Sequence, residues 1–207
     1  MSVSAEQRAS LERAVKHYEQ QIGAAGDYLW SRGIPEHVAV TRRLGAVVEP
    51  LVGHEQYVGR LAIPYLTPAG VVDIRFRTIG AAQHGDKYLS RPGSTLHVYG
   101  VLSLQTHSPI LGICEGELDA LVLDELVGIP AIGIPGAQAW RDHYWRLVED
   151  YERVMVFADG DQPGRDFAKR VAATVEGAVV VGMPDDQDVN SVYLSEGADG
   201  LRRRAGL

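Results

Sequence analysis

The chain has 207 residues, 45% of them hydrophobic and 23% charged, which leaves room for one domain or two small ones around a buried core and excludes a disordered or fibrous polypeptide. The formal net charge is -7, but its distribution is uneven: residues 1–108 carry 11 Lys and Arg against 9 Asp and Glu, and residues 109–207 carry 9 against 18. A mildly basic half joined to a strongly acidic one suits phosphates on one side and metal ions on the other, or else reflects a solvated acidic surface.

The amino terminus interleaves acids and bases without an apolar core segment, so no secretory signal is expected, and no apolar run is long enough to cross a bilayer. The cytoplasm is the expected compartment. Leu11, Val15, Tyr18 and Ile22 recur at helical spacing and predict a first helix, punctuated by Gly23 and Gly26. A short helix is expected from Asp27 to Ser31, and another from Pro35 to about Gly45. From Gly59 to Thr78 two β-rich runs flank a Pro/Gly turn and read as a hairpin, and the segments 87–89 and 97–99 are shorter extended candidates. Beyond residue 108 the pattern becomes strand then helix, four times over. The predicted strands are 109–114, 130–135, 153–158 and 178–183, and the helices between and after them begin near residues 117, 137, 163 and 188. Apolar strands alternating with helices predict an α/β fold with a parallel sheet flanked by helices, preceded by a smaller α+β subdomain, with the boundary near residue 108.

Three of the four predicted strands run into acid: Glu115-Gly116, Asp159-Gly160-Asp161, and the run Asp185-Asp186-Gln187-Asp188. In a parallel sheet those carboxylates share one edge, where ligands bind. Several carboxylates cannot stay ionised in a small volume without a counter-cation, and oxygen donors without cysteines favour Mg²⁺ or Mn²⁺. Asp161, just before Pro163-Gly164, also reads as a helix cap. The single cysteine, Cys114, ends an apolar strand and reads as a buried hydrophobe, not a nucleophile. In the basic half, Arg60, Arg75, Arg77, Lys87 and Arg91 are candidate phosphate contacts, with Arg75 and Arg77 on one face of a strand; solvated edge charges are the plainer alternative. Tyr88 could stack on a base or pack in the core.

The segment from Glu115 through Leu121, with the later Asp159-Gly160-Asp161, resembles the Toprim domain of bacterial primases, topoisomerases and related nucleases. Residues 25–45, then Gly59 to Pro64, the strand bearing Arg77, and Lys87-Tyr88-Leu89-Ser90-Arg91-Pro92 follow the order of the RNA polymerase core of DnaG-type primases. The resemblance covers nearly the whole chain. It implies DNA-dependent synthesis of short RNA primers from ribonucleoside triphosphates on a single-stranded DNA template, in a bacterial or phage-infected cell. Glu115, Asp159 and Asp161 are then catalytic, and Glu115, Asp159, Asp161 and Asp188 hold Mg²⁺ or Mn²⁺. Arg60, Arg75, Arg77, Lys87 and Tyr88 take template or nucleotide. Asn190 stands where an aspartate is common in that family. The chain lacks the cysteines of the family's zinc-binding domain, so a separate zinc-binding module and a replicative helicase are the implied partners. A Toprim nuclease and a non-catalytic single-strand-binding scaffold are the alternatives.

Overall fold

The computed structural model describes residues 4–80, 86–95, 97–136 and 138–207. The chain divides into two compact units, Met1–Thr95 and Leu96–Leu207. The second begins ahead of the boundary expected near residue 108. The reason is local: Tyr99 and Gly133 exchange two backbone hydrogen bonds, of 2.8 and 3.0 Å, which tie the segment expected as an independent strand to the later sheet. Val98 and Leu104 pack against the same core.

In the first unit, helix α1 (Ala5–Glu19) starts at a reciprocal cap in which Gln7 N–H donates to Ser4 Oγ and Ser4 N–H donates to Gln7 Oε1. Its Leu11, Ala14, Val15 and Tyr18 are buried, as the helical spacing predicts. Ile22 falls in a following 3₁₀ turn (Ile22–Ala25), which leads into α2 (Gly26–Ser31) and then α3 (Glu36–Thr41). Strands β1 (Gly45–Ala46), β2 (Arg60–Thr67), β3 (Gly70–Thr78) and β4 (Tyr88–Ser90) form one antiparallel sheet in that order. The expected hairpin is β2–β3, in register from Arg60 opposite Thr78, and its Gly70 has φ +103°, a conformation that needs glycine. Ile74 and Phe76 on one face of β3 join the α1 residues in the core, and Phe76 stacks on Tyr57 at 3.8 Å between ring centroids. Arg75 and Arg77 therefore share the other face.

In the second unit β5 (Ile110–Cys114), β6 (Ala131–Gly133), β7 (Arg153–Ala158) and β8 (Val179–Gly182) make a wholly parallel sheet, ordered β6-β5-β7-β8. Helices α4 (Glu117–Leu121, continued by a wider turn over Val122–Val127), α5 (Gln162–Ala172) and α6 (Val189–Arg204) follow the strands. The α/β class and the parallel sheet are as expected from the alternating pattern. Two helices differ. The segment from residue 137 to 150, expected as one helix, forms only a 3₁₀ stretch, Asp142–Leu147, none of whose residues is buried; Ala137 lies outside the described residues. Trp140 is instead anchored in the core, its indole donating to Thr174 Oγ1 at 2.9 Å, and without an apolar stripe to bury nothing favours a longer helix. Helix α6 runs past the expected stop at Gly197, which breaks the helical path with φ +68° and lets it resume to Arg204. Among the described residues no helix is long and apolar enough to cross a membrane.

Candidate functional site

The register of the parallel sheet places the acids. Cys114 pairs with Phe157, and Ala158 pairs with Gly182, so Glu115, Asp159 and the loop after β8 leave three neighbouring strands at their carboxyl ends. Backbone contacts fix these loops closely. Gly160 N–H donates to Gln187 O at 2.8 Å, and Asp186 N–H donates to Gly160 O at 3.2 Å. A Cβ on Gly160 would lie 1.7 Å from Pro184 O, and one on Gly164 would lie 2.4 Å from Asp159 O, so both positions require glycine for close approach. Asp186 itself adopts φ +59°, a conformation that aspartate tolerates.

The carboxylates have distinct local roles. Asp161 caps α5, accepting from Gly164 N–H at 2.8 Å, and Asp188 caps α6, accepting from Ser191 N–H at 2.7 Å and from the Ser191 hydroxyl at 2.5 Å. The cap reading of Asp161 is thus correct as far as it goes, and each cap engages Oδ1 of its carboxylate. Asp159 caps nothing and carries the electrostatic strain. Burial, then the charges of Asp119, Glu115, Asp188 and Asp161, push its carboxyl up to about 8. Burial and the charges of Asp119 and Asp159 push the Cys114 thiol well up too, which fits an inert strand residue.

Asp119 is the residue that the sequence reading missed. Its Oδ1 accepts from Asn190 N–H at 3.1 Å, joining the start of α4 to the start of α6, and among the neighbouring charges it acts most strongly on Asp159. The signal was its position: four residues after Glu115 and within the first turn of α4, it stays at the same end of the sheet. Asn190 is buried beside it.

Among the described residues no group of three or more His, Cys, Asp or Glu is drawn together into a metal cage. The donor chemistry nevertheless fits a hard divalent ion. All five carboxylates offer oxygen, and an added positive charge would favour the ionised form of Asp159, which burial and its acidic neighbours disfavour. Mg²⁺ is ordinarily held by one or two carboxylates plus water and substrate phosphate, so a complete protein cage is not required.

The basic residues are arranged otherwise. Arg60 is buried and donates to Asp86 O at 3.0 Å. The Arg75 guanidinium lies 4.2 Å from the centre of the Tyr88 ring. Arg77, also buried, donates to the Tyr88 hydroxyl and lies 5.1 Å from that ring and 5.8 Å from the Tyr28 ring. Arg91 pairs with buried Asp73 at 3.0 Å, and Ser94 donates to the same carboxylate. Of Arg60, Arg75, Arg77, Lys87 and Tyr88, only Lys87 is exposed. The structure gathers Arg75 and Arg77 around Tyr88 and ties Arg60 to the Asp86 carbonyl, as an internally braced cluster beside exposed Lys87.

Comparison with known proteins identifies the fold and the family. Residues 110–199 match the family model described as a Toprim domain. The "Gene 57 protein" of Mycobacterium phage D29 is 41% identical over 153 residues, covering 72% of this chain and 99% of the phage protein. The chain belongs to that protein's family and carries a Toprim domain. Its fold is that of the DnaG-type primase catalytic core. The RNA polymerase domain of Mycobacterium tuberculosis primase DnaG superposes with a TM-score of 0.81 at 18% identity, over 99% of this chain and 84% of that one. A DnaG primase catalytic domain bound to single-stranded DNA gives 0.77 at 22% identity, over 98% and 82%. In the Toprim domain, Glu115, Asp119, Asp159, Asp161 and Asp188 are among the acids of the carboxyl edge.

Proposed function

We propose that this protein is the catalytic core of a DNA primase, a nucleotidyltransferase that joins ribonucleoside triphosphates into short RNA primers on a single-stranded DNA template. The observation that carries the reading is the convergence of five carboxylates at the ends of β5, β7 and β8, with burial and four of those charges raising the carboxyl of the fifth, Asp159, in a protein with the DnaG-core fold. Such a field is costly to a bare fold and useful to one that takes up cations with its substrate.

Asp159, Asp161 and Asp188 would hold the divalent ion, Mg²⁺ or Mn²⁺, with Glu115 and Asp119 beside them. The bound ion would neutralise the triphosphate and the charge that develops on the departing pyrophosphate. Glu115, fixed by the last residue of β5, would hold the primer 3′-hydroxyl or take its proton. The caps at Asp161 and Asp188 orient two carboxylates on rigid helix starts, so little ordering remains to be done when the triphosphate arrives. Exposed Lys87, with Arg75 and Arg77 braced by Tyr88, would meet the template or nucleotide phosphates, and Arg60 would hold the Asp86 segment next to them. A separate zinc-binding chain and a replicative helicase would complete the working assembly.

The decisive experiment incubates the protein with Mg²⁺, labelled ribonucleotides and single-stranded DNA of mixed sequence. Short template-dependent RNA is the expected product. Template cleavage without incorporation would make the protein a nuclease, and tight binding with neither product would make it a scaffold.

A further inference from the structure

Outside the acidic edge, the first unit contains an apolar groove of about 450 Å³ walled by Ile22, Leu29, Trp30, Ile34 and Pro35. Three observations make it unlike ordinary surface. Trp30 is 84% exposed, an uncommon cost for the largest side chain in a soluble unit. Gly23 and Gly26 also line the groove, and a Cβ built on either meets no atom within 4 Å. Gly26 has φ -55°, and Gly23 is not among the residues with positive φ. Neither backbone geometry nor packing inside this unit therefore calls for glycine at these positions, and the space beside them is open to another molecule. The third observation is charge. Among the described residues lining the groove, Glu36 is the one that is charged, and it is exposed.

We propose that this groove is a docking site for an amphipathic helix of a partner protein, with apolar anchors seated beside Trp30 and a lysine or arginine paired with Glu36. Nucleic acid is a poor occupant, since binding its phosphates demands cations and the lining offers a carboxylate. Two glycines three residues apart on a helical stretch permit the close backbone approach that helix packing uses. Anchors spaced by three and four residues match a helix laid in a groove, and an exposed indole with a nearby carboxylate suits a cation at the edge of such a contact.

The test uses the full chain and three fluorescent peptides of about 18 residues, long enough to hold a helix. One carries leucines at helical spacing with flanking lysines, one has the lysines replaced by glutamates, and one is a scramble of the first. The lysine peptide should bind saturably and shift the Trp30 indole resonance. Gly26→Leu, whose side chain would occupy open space, and Trp30→Ala should each weaken it about tenfold or more, with unchanged melting temperature. Glu36→Lys should reverse the preference between the lysine and glutamate peptides. Equal binding of the scramble, or no saturable binding sensitive to Gly26→Leu, overturns the proposal. So does displacement of the peptide by a single-stranded oligonucleotide, or self-association that Gly26→Leu abolishes, which would make a second copy of this chain the occupant.

Discussion

The two units handle charge in opposite ways. In the second, parallel strands deliver Glu115 and Asp159 to one edge, the loop after β8 adds Asp188, and the neighbouring charges that raise Asp159 are all carboxylates. In the first, antiparallel pairing sets Arg77 opposite Tyr88, and Arg60, Arg75 and Arg91 likewise find partners within their own unit. A group of like charges at a loop edge that raises a buried carboxyl is the mark of a site suited to a cationic ligand, whereas a braced cluster is already part of the structure. The contrast explains why residues of both kinds stand out in the sequence although they contribute differently to stability.

Four experiments would break or sharpen the contrast. The largest effect belongs to Glu115→Gln, which keeps size and removes basicity. Primer synthesis should fall about a hundredfold to ten-thousandfold, while melting temperature and single-stranded DNA affinity stay close to wild type. Retained synthesis would remove Glu115 from the chemistry.

Next is the pH response of metal-free protein. The unfolded chain releases the Asp159 proton near 3.8 and the native chain holds it to about 8, so the native state binds more protons throughout that window. Stability from this group is therefore complete below pH 4 and is lost as pH rises through 8. Asp159→Asn should flatten the loss, and Mg²⁺ should restore wild type at the alkaline end by binding the folded state. Melting curves in chelator that do not change between pH 4 and 8 would mean that the field has been misjudged.

Arg77→Ala and Lys87→Ala test the braced cluster as a pair. Arg77 is buried against two tyrosines, so its loss should cost about 1–3 kcal/mol in denaturant unfolding. Lys87 is exposed, and its loss should change stability by less than about 0.5 kcal/mol. Lys87→Ala should still weaken single-stranded DNA binding and lessen its salt dependence. Equal stability losses would show the two side chains to be alike.

A smaller effect than that of Arg77→Ala concerns the cap on α5. Asp161→Ala should cost about 1 kcal/mol through the lost bond to Gly164 N–H, with or without metal. Asp161→Asn, which can still cap, should recover most of that stability without recovering the metal response, separating the two roles of one carboxylate.

Much of the second unit was legible from its letters. Strand-length apolar runs alternating with helices can bury both faces only as a parallel sheet, and acids at the ends of such runs must then meet at one edge. Glycines beside the acids foretold the tight loops, although not that Gly160 lies against Pro184. The segment from 137 to 150 misled because its aromatic residues suggest a helix, while the bond from Trp140 to Thr174 is a contact between distant residues that no local pattern contains. Tyr99 joined the second unit for a similar reason, through backbone pairing with Gly133.

What the sequence determined by itself was whatever depends on period and order: the four strands of the parallel sheet and the hairpin, where the acids fall along them, and that Arg75 and Arg77 share a face. Tertiary structure decided what those residues experience. Asp119 enters the acidic field only when α4 folds back over the end of β5, and Asp159 is raised only because burial and four carboxylates coincide there. Arg77 changes from a candidate surface cation to a buried one because Tyr88, eleven residues away, pairs across the sheet. Charge can be counted along a chain, but its energy depends on distance and solvent exposure, and those quantities exist only in three dimensions.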